Sequence, residues 1–317
     1  MAENTPFTTV ELMLHQLNVM LEKRLKIDRK AYFDDDFTMN KTMQDYFNTL
    51  SNDVVQDKTS ALVVLEELAT YGMMTTLYSQ TVVEEQPELF NQLLSRTALY
   101  AHYLLTVRSD PTHDYLHFVE MRKAVYLWAS LFLCGWNKKA MNIGHNFIES
   151  INGNSGIIRY GCRLYPESWF AIDLYSAASG EEYNKKRADY PEDMNDSYRD
   201  IISEWDTEDT SKVDNFIYLL AELHLLMKEK DEDDADEYFD FGNPLLKLYP
   251  YEIIIYLAIR KQNNLKNPTE FSHPLINTPL SQLFLNLDTP LAEPTELPFA
   301  EELLAKLKTE NTRTGHL

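Results

Sequence analysis

The sequence predicts an all-α protein, on three observations. Apolar residues recur at intervals of three and four along most of the chain, which is the period of a helix with one buried face. Proline and glycine are few, 13 and 9 in 317 residues, and several stand where helical patterns begin or end. No Asn-Gly or Asp-Gly turn joins two strand-like runs, so the strongest short signal of a β-hairpin is missing.

The first helices are predicted from their N-terminal signals. Thr8 and Glu11 form a T-x-x-E capping box ahead of an apolar stripe. A second helical pattern covers residues 60–78. Pro87 is suited to the first turn of a third helix, because its missing N–H is not needed there.

The middle of the chain predicts two helices joined by a glycine turn. The pattern over residues 113–134 is apolar all round in its second half, which indicates burial. Gly135 ends this helix, and a shorter one follows over residues 138–151. The next stretch, INGNSGIIRYGCRLYP, has three glycines and is predicted to be a loop.

The second half continues with proline-led helices. Pro166 starts a helix that stops at Gly180, and Pro191 is predicted to start the next one. From Ser211 a strongly apolar helix leads to an acidic stretch. After Pro250 the run YEIIIYLAIRKQNN has the length and neighbours of a buried helix rather than a strand.

The predicted architecture is a set of stacked helical hairpins with a proline-rich wrap and a final amphipathic helix. The turns at Gly135 and Gly180 give two matching hairpins, a repeat-like feature that would need a third unit to define a repeat. We predict an N-terminal helical region over residues 1–112 and a C-terminal helical region over 113–297 packed on it as one unit. Residues 298–317 are predicted to form the last helix and tail.

Composition and charge exclude several classes of function. The N-terminus lacks a signal-peptide pattern and the longest apolar run is too short to span a bilayer, so a cytoplasmic protein is expected. The two cysteines form neither a disulfide framework nor a zinc box. A formal net charge of −21 disfavours nucleic acid and anionic membranes and favours basic partners.

Metal and catalytic motifs are weak. His113 and His117 are four residues apart, with Glu120 one turn on, but Asp114 stands where the zinc-protease motif needs glutamate. We therefore predict no metal, no cofactor and no catalytic residue. An all-α metal-dependent hydrolase that uses His113 and His117 remains the alternative from a different class. His224, within an apolar helix face, is interpreted as a core histidine.

The acidic stretch KEKDEDDADEYFDFGNP, residues 228–244, is the strongest candidate for a binding surface. Seven of the ten residues from Asp231 to Asp240 are acidic, and the stretch does not fit a calcium loop because the required glycine is missing. Carboxylates would steer a basic partner and aromatic side chains would anchor it. The predicted partner-binding residues are Asp231, Glu232, Asp233, Asp234, Asp236, Glu237, Tyr238 and Phe239, with Asp34, Asp35 and Asp36 from the smaller cluster AYFDDDF.

The order of segments in the second half resembles a known family. The quoted pieces are YPESWFAIDLYSAASGEEYN, DNFIYLLAELHLLMKEK, NPLLKLYPYEIIIYLAIRKQNN and FSHPLINTPL, with AVYLWASLFLCGWNKKAMNIGHNFI upstream. This succession is similar to the all-α immunity proteins of bacterial polymorphic toxin systems, closest to the immunity protein 49 family. The resemblance covers about residues 120–285 and is a pattern of helices rather than a sharp motif.

The resemblance implies a binding protein and no enzyme. It implies a chain that neutralises a cognate toxin made by the same cell through stoichiometric protein–protein interaction. A helical-repeat scaffold with another partner is the remaining alternative. The acidic stretch is longer than the family pattern, and the N-terminal third matches it only as generic helices.

Overall fold

The computed structural model describes residues 48–49, 52–53, 61–79, 87–109, 119–153, 165–187, 190–191, 194–233, 244–297, 303 and 305. These residues form helices and no strand, which confirms the all-α prediction. The α-helices are α1 (Ala61–Ser79), α2 (Pro87–Arg108), α3 (Met121–Leu133), α4 (Asn137–Asn152), α5 (Pro166–Ser179), α6 (Asp196–Ser203), α7 (Thr210–Asp233), α8 (Pro244–Lys247), α9 (Tyr251–Gln262) and α10 (Pro279–Leu285). Two 3₁₀ helices lie at Lys185–Arg187 and Pro274–Asn277.

Helices α3 and α9 form the centre of the fold. Almost every residue of α3 is buried, and the helix contacts α1, α2, α4, α5, α9 and α10. Residues 251–260 of α9 are all buried between α3, α5 and α7. This burial explains why both sequences are apolar nearly all round. The prediction that the run after Pro250 is a helix is confirmed.

The helices pair as hairpins, but the stack is not a simple repeat. Helices that follow one another in the chain pack together from α1 to α5. Helix α9 then packs on both α3 and α5, which lie far from it in sequence. In a repeat array each unit contacts only its neighbours. The repeat-like feature of the prediction is therefore not confirmed.

Glycines end α3 and α5 as the sequence indicates. Gly135 has φ 71°, its N–H donates to Phe132 O and the N–H of Trp136 donates to Leu131 O. These two bonds form a Schellman motif, which a left-handed glycine favours. Gly180, with φ 75°, ends α5 in the same left-handed conformation.

Two helix starts differ from the sequence prediction. Helix α3 begins at Met121 rather than His113, because Glu120 has ψ 138° and is not helical. Helix α6 begins at Asp196 rather than Pro191. Its cap is Asn195, whose side-chain oxygen accepts from the Ser197 N–H at 2.8 Å. A capping side chain satisfies a free helix N–H, whereas proline only tolerates the position.

The proline-rich segment wraps over the α3–α4 turn, as predicted. The N–H of Leu291 donates to Cys134 O at 2.9 Å, and the indole of Trp136 donates to Leu291 O at 2.8 Å. Of the predicted last helix, Leu303 and Ala305 are described and both are helical. The domain boundary at residue 112 lies outside the described residues and stays a prediction.

Buried charges fix how the central helices meet. Arg122 of α3 is paired with Glu167 of α5 at 3.3 Å, and Tyr251 of α9 donates to the same carboxylate at 3.0 Å. Arg260 of α9 donates to the carbonyl oxygens of Thr207 and Lys266, each at 2.8 Å. This arginine therefore ties the loop before α7 to the segment that follows α9.

Helix α4 approaches α5 closely at Gly144, which gives a testable prediction. A Cβ at this position would lie 2.4 Å from the ring of Tyr175, which is buried. Gly144→Ala should lower the free energy of unfolding by about 1–3 kcal/mol, because the core is overpacked. Urea denaturation measures it, with Asn142→Ala at an exposed position of α4 as the control. A Gly144→Ala protein as stable as the parent would contradict this packing.

Candidate partner-binding surface

Helix α7 carries the large apolar side chains that remain exposed in the part of the chain that the structure describes. Tyr218 is 37% exposed, Leu219 45% and Leu226 49%. Leu219 and Leu226 are seven residues apart, so they lie two turns apart on one side of the helix. We call these three residues the α7 apolar face. A contiguous patch of exposed apolar side chains marks an interaction surface, whereas apolar side chains exposed singly are ordinary.

The core-facing side of α7 is separate from this face. It consists of buried residues that are alternately three and one positions apart: Val213, Phe216, Ile217, Leu220, Ala221 and His224. These residues already hold the helix on the core. The exposed leucines are therefore not needed to bury α7, and they are available for contact with a partner.

A fully buried hydrogen-bonded pair, His224 and Glu252, fastens α7 to α9. His224 Nδ1 lies 2.6 Å from Glu252 Oε1, and both side chains are completely buried. His224 Nε2 lies 2.8 Å from Leu246 O, so it carries a proton and donates to that carbonyl. A second proton lies between Nδ1 and the carboxylate, since that contact also needs a donor. This geometry confirms the interpretation of His224 as a core histidine.

The edge of the α7 apolar face rests on the segment before the second 3₁₀ helix. Tyr218 packs edge-on against His273 at 5.1 Å between ring centroids. His273 Nδ1 accepts from the Leu275 N–H, so Nε2 carries the proton and donates to Glu222 Oε1 at 3.1 Å. Asp214 accepts from the Ser272 N–H at 3.0 Å. Two α7 carboxylates therefore hold this segment beneath Tyr218.

His273 should make this region sensitive to acid. Burial lowers the pKa of His273 from its ordinary 6.5, while the hydrogen bond and charge of Glu222 oppose that effect. As pH falls below about 6.5 the unfolded chain takes up this proton first, so the free energy of unfolding decreases. Between pH 7.5 and 5.5, His273→Asn should lose less stability than the parent in urea denaturation. Asparagine can still cap Leu275 and does not titrate here. Equal losses in the two proteins would show that His273 is not the group responsible.

The predicted acidic residues follow directly after this face. Asp231, Glu232 and Asp233 form the end of α7, about 7.5 to 10.5 Å along the helix axis from Leu226. The other predicted partner-binding residues lie outside the described residues: Asp234, Asp236, Glu237, Tyr238, Phe239, Asp34, Asp35 and Asp36. His113 and His117 also lie outside them.

The α7 apolar face was missed by the sequence prediction, although a signal was present. The run FIYLLAELHLLMKEK contains more apolar residues than one buried side of a helix needs. Such an excess has two explanations, a fully buried helix or a second apolar side. The buried and exposed positions of α7 show that the helix has a second apolar side, which faces solvent.

A groove of about 720 Å³ lies elsewhere on the surface. It lies between the end of α9 and α10, and its lining includes Lys261, Glu270, Phe271 and Leu285. Charged, amide and apolar groups are mixed along it. This mixture does not define one ligand chemistry.

Metal sites and membrane-spanning helices would indicate other classes of function. Among the residues that the structure describes, no group of three or more His, Cys, Asp or Glu side chains is arranged to hold a metal ion. In the same part of the chain, no helix has the length and apolar character needed to cross a membrane.

Comparison with known proteins gives no relative for this chain. No protein-family model, curated protein or solved structure matches it.

Proposed function

We propose that this chain is an immunity protein that binds a cognate bacterial toxin in the cytoplasm and neutralises it by stoichiometric association. The observation that carries the proposal is the α7 apolar face, Tyr218, Leu219 and Leu226, set directly before the acidic stretch. The resemblance of residues 120–285 to the immunity protein 49 family supports the same function.

The two parts of this surface suit different tasks in binding. Exposed aromatic and aliphatic side chains supply anchors, since a few buried contacts carry most of the energy of an interface. The carboxylates at the end of α7 attract a basic surface during encounter and help to set its orientation. With 50 acidic against 29 basic residues, the rest of the chain adds to that attraction.

The rigid attachment of α7 favours binding without large rearrangement. The buried His224–Glu252 pair and the contacts to His273 and Ser272 hold the helix before a partner arrives. A surface that is ordered in advance loses less conformational entropy on association. The proposed mechanism is therefore occlusion: the pre-formed face covers the toxin's active site or holds the toxin in an inactive form.

The acidic stretch should act mainly on the rate of encounter. We expect that changing Asp231, Glu232, Asp233, Asp234, Asp236 and Glu237 to Asn or Gln slows association with the toxin about tenfold at low salt. The dependence of that rate on salt should flatten, while dissociation should change less. Surface plasmon resonance at two salt concentrations, with the toxin encoded by the adjacent gene, measures both rates.

A control of equal charge separates local steering from net charge. It neutralises six exposed carboxylates on other elements: Glu149, Glu182, Asp196, Asp200, Asp206 and Glu208. Both proteins then carry a net charge of −15, which is −21 plus 6. If the two variants slow association equally, the acidic stretch has no special role and only the net charge matters.

A further inference from the structure

A carboxylate and two tyrosine rings surround the ammonium of Lys185. Lys185 Nζ lies 2.7 Å from Asp173 Oδ1, 4.1 Å from the ring centroid of Tyr190 and 5.6 Å from that of Tyr183. Trp169 is fully buried behind these rings, stacked on Tyr183 at 5.9 Å and edge-on to Tyr190 at 5.1 Å. We call Asp173, Tyr183, Tyr190 and Trp169 the Asp173 cage.

The cage is built around a buried negative charge. Asp173 is buried on α5, and its two oxygens each accept a tyrosine hydroxyl, from Tyr183 and from Tyr190, at 2.6 Å. Burial and the neighbouring Asp173 raise the pKa of both phenols, so they remain protonated donors. The ionised carboxylate and the electron-rich ring faces together attract a cation.

The cage opens to solvent and its present occupant can leave. The side chain of Lys185 is about half exposed, in contrast to the buried Asp173 that it contacts. The loop that carries Lys185 is held by other groups. Asn152 accepts from the Asn184 N–H at 2.9 Å, donates to Glu182 O at 2.9 Å and accepts from Arg187 at 2.6 Å through its carbonyl. The loop therefore keeps its position when the Lys185 side chain moves away.

We infer that the Asp173 cage is a binding site for a primary alkylammonium group, the chemistry of a lysine side chain. Lys185 occupies it in the free protein and is displaced when a ligand lysine enters. Two aromatic faces and one carboxylate are the groups that recognise alkylammonium ions elsewhere in proteins. The site is distinct from the α7 apolar face and does not depend on the proposed toxin.

The test uses n-butylammonium, which is the end of a lysine side chain. The full chain with Lys185→Ala should bind it saturably, with a dissociation constant on the order of 1–10 mM. NMR follows the ring signals of Tyr183, Tyr190 and Trp169 during the titration. The parent chain should bind at least about tenfold more weakly, because Lys185 competes for the site at a high local concentration.

Three controls identify the cage as the site. Lys186→Ala removes the same charge from the exposed neighbour and leaves Lys185 in place, so its binding should match the parent. Tyr190→Leu added to Lys185→Ala should weaken binding by removing the nearer ring, and its folding is checked by circular dichroism. In the Lys185→Ala protein, n-butanol should not move the ring signals, because it has the same shape without the charge.

These comparisons distinguish binding in the Asp173 cage from non-specific binding of the cation. Saturable binding of n-butylammonium to Lys185→Ala that is lost with Tyr190→Leu supports the site. Binding equal in the parent, Lys186→Ala and Lys185→Ala proteins would overturn it, and so would no saturation in Lys185→Ala. None of these results bears on toxin binding through α7, so the two proposals succeed or fail independently.

Discussion

Replacing Glu252 by alanine should lower the free energy of unfolding by about 3–5 kcal/mol. The carboxylate is fully buried against His224, and its removal leaves the histidine facing an empty space without an acceptor for its second proton. A buried group left without its partner costs far more than the net value of the pair. Urea denaturation followed by circular dichroism measures the loss.

Two further variants show whether the pair, rather than the position, is responsible. Glu222→Ala removes a partly exposed α7 carboxylate that contacts His273, and it should cost about 1 kcal/mol or less. His224→Leu combined with Glu252→Met should recover most of the stability, because apolar groups of similar size can replace a buried ion pair. If Glu252→Ala were no more destabilising than Glu222→Ala, the pair would not be what fastens α7 to α9.

Changing both exposed leucines of α7 should have the largest effect on partner binding. We expect Leu219→Gln with Leu226→Gln to weaken toxin binding at least about thirtyfold, mainly through faster dissociation, because truncating an anchor residue costs about 2 kcal/mol or more. Glutamine keeps the length and helix propensity of leucine. Stability should change by only about 0.5 kcal/mol, since both residues are exposed.

Leu285→Gln is the second-site control for this double variant. Leu285 is half-buried and lines the groove between α9 and α10, so the leucine-to-glutamine change is made on a different surface. Toxin binding that survives in the α7 variant and is lost with Leu285→Gln would move the interface from α7 to the groove.

The sequence was sufficient to predict where most helices begin or end, because local chemistry sets those ends. Pro87, Pro166, Gly135 and Gly180 act within one turn of the chain, and their helices begin or end as predicted. Asn195 was missed as a cap because Pro191 gave a more familiar signal four residues earlier. Such an error is a choice between two neighbouring signals for a helix start. It shifts the start of the helix without changing the fold.

The packing of distant helices could not be predicted in the same way. Glu167 and Glu252 are polar residues in helices, and a sequence pattern assigns such residues to the solvent side. Both are buried, because each meets a partner from another helix, Arg122 and His224. Those partners lie 45 and 28 residues away in the chain. A local sequence pattern does not reveal which distant residue each of these glutamates contacts.

The sequence pointed to the acidic part of the candidate surface, whose role in binding stays a prediction, and not to its apolar part. The acidic end of α7 is visible in composition alone, since Asp231, Glu232 and Asp233 are consecutive charges. The apolar part of the surface was not separable from the core, because Leu219 and Leu220 are neighbours with the same side chain. One is exposed and the other fully buried, and only the rotation of α7 on α9 decides between them.

The most direct measurement is a calorimetric titration of the purified chain with its proposed cognate toxin, which we expect a neighbouring gene to encode. The proposed function predicts saturation at one chain per toxin and loss of toxin activity at the same ratio. It also predicts that the Leu219→Gln, Leu226→Gln protein binds at least about thirtyfold more weakly while remaining folded. The absence of a saturable complex would contradict the immunity function, and an unchanged affinity in the double variant would contradict the α7 interface.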